Sequence, residues 1–223
     1  RGSSGGAGMT FRNFDVAPYS NGGYVYSAGQ IVNSQTGNES IILSSFNNGG
    51  TEQWSRVIWT SGGTTYVHGV DSDSSGNAYV LGRDYNQKMI ILKYNSSGVL
   101  QWQRNFTSAY NEYANGPTIK VDNLGSFYIG IQTRAPVDGA NTPRHLLVAK
   151  LPDDGSLTGT YGDFTYSASS YTDSPRSDFT TTITSSLNST TLATSSFLER
   201  DFAIVGGVET SETITLSELT YFD

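Results

Sequence analysis

Apolar residues along this chain come in short runs broken by clusters of Gly, Asn, Asp and Ser. "NAYVLG" (77–82) and "MIILKYN" (89–95) are rich in β-branched and aromatic residues, as short strands are. "NSSG" (95–98) is a hairpin-turn signal. "VLQWQR" (99–104) then alternates apolar and polar, as a half-buried strand does. No run has the length and period of an amphipathic helix, so the pattern predicts a meander of short antiparallel strands.

The pattern repeats. From Gly76, Tyr79 lies three residues on and Gly82 six; Gly23, Tyr26 and Gly29 keep those offsets. Gly125 and Tyr128 keep the first, with Gly130 one residue early. A second set of anchors follows each. Gly98, Trp102 and Arg104 fall at the same offsets as Gly50, Trp54 and Arg56, while Lys150 and Gly155 match Lys93 and Gly98 but put Gly159 at the Trp position. Tyr26 to Tyr79 spans 53 residues and Tyr79 to Tyr128 spans 49. A unit of roughly 40–50 residues with four short strands is the signature of a β-propeller blade. The glycines would serve strand ends and close approaches; Trp and Tyr would fill the space between neighbouring sheets.

The expected organisation is a Gly/Ser-rich lead-in over residues 1–10 and one all-β, β-propeller-like domain over residues 11–223. Its repeats lie near residues 21–58, 71–106 and 118–164, with a divergent Ser/Thr-rich closing part over 165–223. Phe164, Tyr166, Tyr171, Phe179, Ile183, Leu187 and Leu192 recur through the Ser/Thr-rich region, which predicts degenerate, surface-exposed strands there. "DFAIVGG" (201–207) echoes "NAYVLGR" (77–83) in hydrophobic pattern. At roughly 47 residues per blade the chain makes about four to five blades. Such a ring would be small and closed on itself, or completed by other residues or another subunit.

These anchors resemble the β-propeller repeats named for seven-bladed propellers (SBBP), which open with D-x-x-G-N-x-Y-V-x-G and close with K-Y-N-x-x-G-x-x-x-W. Residues 71–102 match closely, the first unit less so, and the third lacks the Trp. The segment "AKLPDDGSLTGTYGDFTYSASSYTD" (149–173) is similar to stretches that follow such repeats in large structural proteins of marine bacteriophages. The resemblance implies a non-enzymatic virion component, a tail-fibre or capsid-surface module for attachment to a host-surface glycan or for particle decoration. Its implied partners are other virion proteins or further copies of itself, with no cofactor. Two rivals stand beside it: a glycan depolymerase using carboxylates in a propeller channel, and a bacterial cell-surface adhesion module.

Composition narrows the field further. The formal net charge is −7 and Lys and Arg form no block, which argues against nucleic acid and anionic membrane surfaces. No stretch approaches the roughly 18 consecutive apolar residues of a membrane span. Cysteine is absent, which excludes disulfides, thiolate metal sites and Cys nucleophiles, and fits folding in a reducing cytoplasm.

Candidate chemistry is sparse. "DSDSSGN" (71–77) has the D-x-D spacing of a calcium loop, but Gly82 stands where an EF-hand places its bidentate Glu, so a turn whose Asp and Asn bond their own backbone is the better reading. His68 and His145 are the only histidines, and with no G-x-S-x-G elbow they read as strand-end residues. Asp153 and Asp154 sit in a turn signal; Glu199 and Asp201 flank Arg200 as an exposed charge cluster. Trp54 and Trp102 are repeat-locked and read as packing residues. Trp59, Tyr110 and Tyr113 fall outside the repeated anchors and are the candidates for a surface contact with ligand.

Overall fold

The computed structural model describes residues 11–19, 23–32, 38–108, 117–134 and 144–176. Sheet 1 is a meander of β1 (Phe11–Tyr19), β2 (Tyr24–Val32), β3 (Glu39–Asn47) and β4 (Glu52–Trp59). Sheet 2 repeats that plan with β5 (Thr65–Ser72), β6 (Ala78–Asp84), β7 (Met89–Tyr94) and β8 (Leu100–Ser108). Sheet 3 holds β9 (Thr118–Val121), β10 (Ser126–Arg134) and β11 (Arg144–Pro152). Three more strands follow: β12 (Gly159–Tyr161), β13 (Phe164–Ala168) and β14 (Thr172–Pro175). Every pairing is antiparallel; among the described residues there is no helix, and no sheet closes into a barrel.

The repeat seen in the sequence is a repeat of pairing register. Tyr26 lies across from Ser45, and Ser45 across from Trp54. Tyr79, Lys93 and Trp102 form the same row in sheet 2, and Tyr128 and Lys150 begin it in sheet 3. Bulges recur as well. The β3–β4 register shifts between Ser45 and Phe46, and the β7–β8 register shifts between Lys93 and Tyr94. Opposite the anchor glycines, the register shifts between Asn13 and Asp15 across from Gly29, and between Val67 and Gly69 across from Gly82. A Cβ on Gly82 would lie 2.5 Å from both Ile41 Cδ1 and the Tyr66 carbonyl oxygen, so this anchor is fixed by close approach.

Two hydrophobic cores lie on opposite faces of sheet 2. Ala78, Val80, Ile90 and Leu92 pack with Ile41, Leu43 and Ile58 of sheet 1. Tyr79, Leu81, Met89 and Ile91 pack with Ile119, Phe127, Ile129 and Ile131 of sheet 3. A strand buried on both faces has no polar phase, which is why residues 78–82 and 89–92 read as unbroken apolar runs. Each fully buried side chain of this size contributes about 1.5–3 kcal/mol.

Tryptophan joins each sheet to the next. Trp54 Nε1 donates to the Ser96 carbonyl at 2.9 Å, and its ring lies where a Cβ on Gly98 would sit, 2.6 Å away. Trp102 repeats the contact one sheet on, donating to the Asp153 carbonyl at 3.1 Å and covering Gly155 at 2.8 Å. The packing reading of both Trp residues therefore holds.

The third unit departs from the expected plan. Its fourth strand, placed by sequence within residues 118–164, is missing from sheet 3 among the described residues. Instead β13 adds to β8 and β12 to β13, extending sheet 2, and β14 adds to β4 on sheet 1. Gly159, at the Trp position, cannot supply the inter-sheet aromatic contact. Tyr166 supplies a different one, fully buried against the second core. The start of the Ser/Thr-rich part does form strands as expected, though Tyr166 shows that they are not purely surface strands.

Candidate functional site

A meander puts alternate connections at opposite ends of its sheets. At one end lie the tight turns of the repeat, built on Asp and Asn. Asp73 Oδ1 accepts the N–H groups of Ser75 and Asn77 at 2.9 and 2.8 Å. Asp122 Oδ1 accepts those of Leu124 and Ser126 at 2.8 and 3.0 Å, and Asn95 Oδ1 those of Ser97 and Val99 at 3.0 and 2.9 Å. Tyr79 OH and Tyr128 OH then donate to the other oxygen of Asp73 and Asp122, at 3.1 and 3.2 Å. The backbone donors of Leu124 and Ser126 hold Asp122 below the usual carboxylate range.

The Asp71–Asn77 segment is thus a self-bonding turn. Asp73 is committed to its own loop, and Asp71 Oδ2 accepts the Val121 N–H at 2.9 Å from the next sheet. Asp154, of the adjacent acidic pair, is held low first by the Ser156 hydroxyl and then by its N–H. Asp153 lies 3.9 Å from Lys93 Nζ. Both belong to the turn after β11, as the sequence suggested.

The other end carries the connections that the repeat does not fix. β4 runs into β5 through residues 60–64, and β6 into β7 through 85–88. Thr65 ties sheets 1 and 2 together here, accepting the Ile41 N–H at 3.1 Å and donating to the Ile58 carbonyl at 3.0 Å. A pocket of about 320 Å³ opens at this end, between the β6–β7 turn and the last residues of β8. Its rim is amide, hydroxyl and ammonium: Asn86, Lys88, Asn105, Thr107, Ser108 and Ser167. Met89, Phe106 and Ile131 make its floor, and no carboxylate is among its lining residues. Asn105 Oδ1 accepts the Tyr171 hydroxyl at 2.8 Å, which fixes the amide orientation. Gln87 accepts from Arg83, holding the turn from below. A rim of polar groups over an apolar floor suits a polyhydroxylated ligand, whose faces are apolar and whose edges hydrogen-bond.

The ligand candidates from sequence fare unevenly. Trp59 ends β4 at the same end of the sheets, half-buried and opposite Thr172 of β14, but it does not line the pocket. Tyr110 and Tyr113 lie outside the described residues, as do Glu199 and Asp201. The pocket residues belong to no motif and no repeat anchor, so sequence pattern passed over them. The one available signal was negative: Asn86 and Lys88 interrupt two apolar runs at a turn the repeat leaves variable.

His68 is not a strand-end residue. It occupies the bulge in β5, opposite the Gly82–Leu81 step. Its Nε2 is buried with no hydrogen-bond partner among the described residues. Burial, and secondarily the Arg83 guanidinium, lower its pKa from 6.5 to about 4. Among the described residues no Ser hydroxyl bonds that nitrogen, where a triad would place its nucleophile. His145 lies within β11, across from Thr133.

Among the described residues, no group of three or more His, Cys, Asp or Glu gathers as a metal site, and no helix is long and apolar enough to cross a membrane. No family model and no curated protein matches the chain.

Proposed function

We propose that this chain is a non-enzymatic binding module of a phage virion, on a tail fibre or the capsid surface, that attaches to host-surface glycan through the pocket at the variable end of its sheets. In this reading the three sheets are successive blades of a propeller-like array. The repeated aromatics and turns are spent on locking the sheets together, which leaves a rigid platform for the connections at the other end.

The observation that carries the reading is the pocket itself, with amide, hydroxyl and ammonium groups over a Phe–Met–Ile floor. Its chemistry also sets it against the depolymerase rival, because glycoside hydrolysis works with a pair of carboxylates flanking the bond. The virion setting rests on the resemblance of the repeats and of residues 149–173. A single shallow pocket binds weakly, and affinity would come from many copies on one particle.

The test is retention of the full chain on immobilised host-surface polysaccharides, compared with the Asn86→Ala/Lys88→Ala double variant. Both side chains are exposed, so the fold should survive. Retention of wild type and release of the variant would support the reading. Equal retention, or none across neutral and acidic polysaccharides, would sink it.

A further inference from the structure

Most positive charges of this molecule are compensated within the fold. Among the described side chains, Arg56, Lys93, Lys120 and Arg176 pair with Asp173, Asp153, Asp71 and Glu52. Arg104 donates to the Gly155 carbonyl at 2.8 Å, and Lys150 stands 5.6 Å over the Tyr128 ring. Two cations are left without a carboxylate among the described residues, Lys88 and Arg83, and both adjoin Gln87 at the pocket. Arg83 lies 4.4 Å over the Tyr66 ring and donates to the Gln87 side-chain oxygen. Lys88 lines the opening, and its ammonium has no hydrogen-bond, ion-pair or ring partner among the described residues.

The backbone under Lys88 is fixed. Residues 84–88 form the same turn as 47–51, 73–77 and 95–99. In each the first N–H bonds the fifth carbonyl and the fourth N–H bonds the first, at 2.8–3.0 Å. The fourth position is left-handed every time; it is Gly50, Gly76 and Gly98 in the others but Gln87 here, at φ 67°. An L side chain adopts this conformation at a cost that glycine avoids. The Gln87 amide uses it to tie the turn to Arg83 and to the Tyr85 carbonyl. Asp84, the carboxylate of the turn, is buried and committed: Oδ1 accepts the Lys88 N–H at 2.9 Å, and Oδ2 lies 3.2 Å from the Tyr171 hydroxyl. The pocket therefore carries uncompensated positive charge in a chain of net charge −7.

Resting on the glycan reading above, we propose that the sugar this pocket takes is acidic, its carboxylate or sulfate group paired with the Lys88 ammonium and its ring over the Met89–Phe106 floor. A neutral sugar would strip water from the ammonium and return no counter-charge, which costs affinity. An acidic sugar supplies the counter-charge, and low-dielectric walls strengthen the pair. The net negative charge elsewhere on the chain adds discrimination, because an anionic glycan is repelled from the rest of the surface and gains only here.

Titration of the full chain with glucose, glucuronate and glucose 6-sulfate, read from amide NMR shifts of residues 86–89, varies the anion on a constant ring. One or both acidic sugars should bind at least about fivefold tighter than glucose, the gain of one partly exposed ion pair. Lys88→Gln should abolish that preference and Lys88→Arg should keep it; glucuronate against glucose 6-sulfate separates carboxylate from sulfate. Acetate and inorganic sulfate, as bare anions, should bind more weakly than the sugars that carry the same groups. Equal affinity for all three sugars, a preference that survives Lys88→Gln, no response to any sugar, or bare anions that match the sugars would each overturn the inference. In every one of those cases, polysaccharide retention that is lost in the Asn86→Ala/Lys88→Ala variant would leave the glycan reading itself standing.

Discussion

Replacing Gly155 by alanine measures the inter-sheet lock directly, because Gly125 provides a matched control. Both glycines have positive φ, +73° and +89°. An alanine at either pays the left-handed backbone cost of about 1 kcal/mol. At Gly125 nothing lies within 4 Å of the new methyl. At Gly155 the methyl would sit 2.8 Å from Cγ and Cδ2 of Trp102. That ring cannot swing aside cheaply: its Nε1 is bonded to the Asp153 carbonyl, and it stacks on Phe127 at 5.8 Å between centroids. Overpacking of this kind adds about 1–3 kcal/mol, so Gly155→Ala should cost about 2–4 kcal/mol against about 1 for Gly125→Ala. Urea unfolding followed by circular dichroism gives both values. The double variant Trp102→Ala/Gly155→Ala should then cost less than the two single changes added together, because removing the ring removes the clash. Equal costs for the two glycine variants, together with strict additivity in the double variant, would show that the Trp–Gly contact does not lock the sheets.

Other perturbations probe other joints. His68 has a folded pKa of about 4 against 6.5 unfolded, so the unfolded state takes up its proton first and stability is lost as pH falls from 6.5 towards 4. The full shift corresponds to about 3 kcal/mol, which partial exposure reduces to about 1–2. His68→Gln should flatten the acid limb of stability against pH by that amount, and an unchanged limb would refute the account. Thr65→Val removes the hydroxyl that joins Ile41 N–H to the Ile58 carbonyl, and a loss of about 1–3 kcal/mol in urea unfolding is expected. Asp173→Ala strips the partner from Arg56 and from Tyr94 OH and should cost about 3 kcal/mol, with faster amide exchange in β14. Tyr166→Phe runs the other way. Its hydroxyl is buried without a partner among the described residues, so melting should show no loss and a gain of up to about 1 kcal/mol.

The sequence by itself determined the all-β class, the three strand runs of the second unit over residues 77–82, 89–95 and 99–104, and the packing role of Trp54 and Trp102. These are local or periodic facts. Strand runs end at Gly and Asn turns, and a residue that recurs at fixed offset from a turn glycine sits in the same register each time. The Asp73 turn was legible for the same reason, since a carboxylate two and four residues before free N–H groups has its partners at hand. Tertiary structure alone decided the rest. The segment after Gly155 carries no Trp, and nothing local says whether β13 should pair with β8 or complete sheet 3; burial of Tyr166 and the Arg56–Asp173 contact settle it through residues far apart in the chain. His68 was misplaced because a bulge depends on the partner strand, here the close approach around Gly82. The pocket was invisible for a related reason. Asn86, Lys88, Asn105 and Ser167 come from three separate stretches, and only the pairing of β7, β8 and β13 within sheet 2 brings their polar ends to one opening.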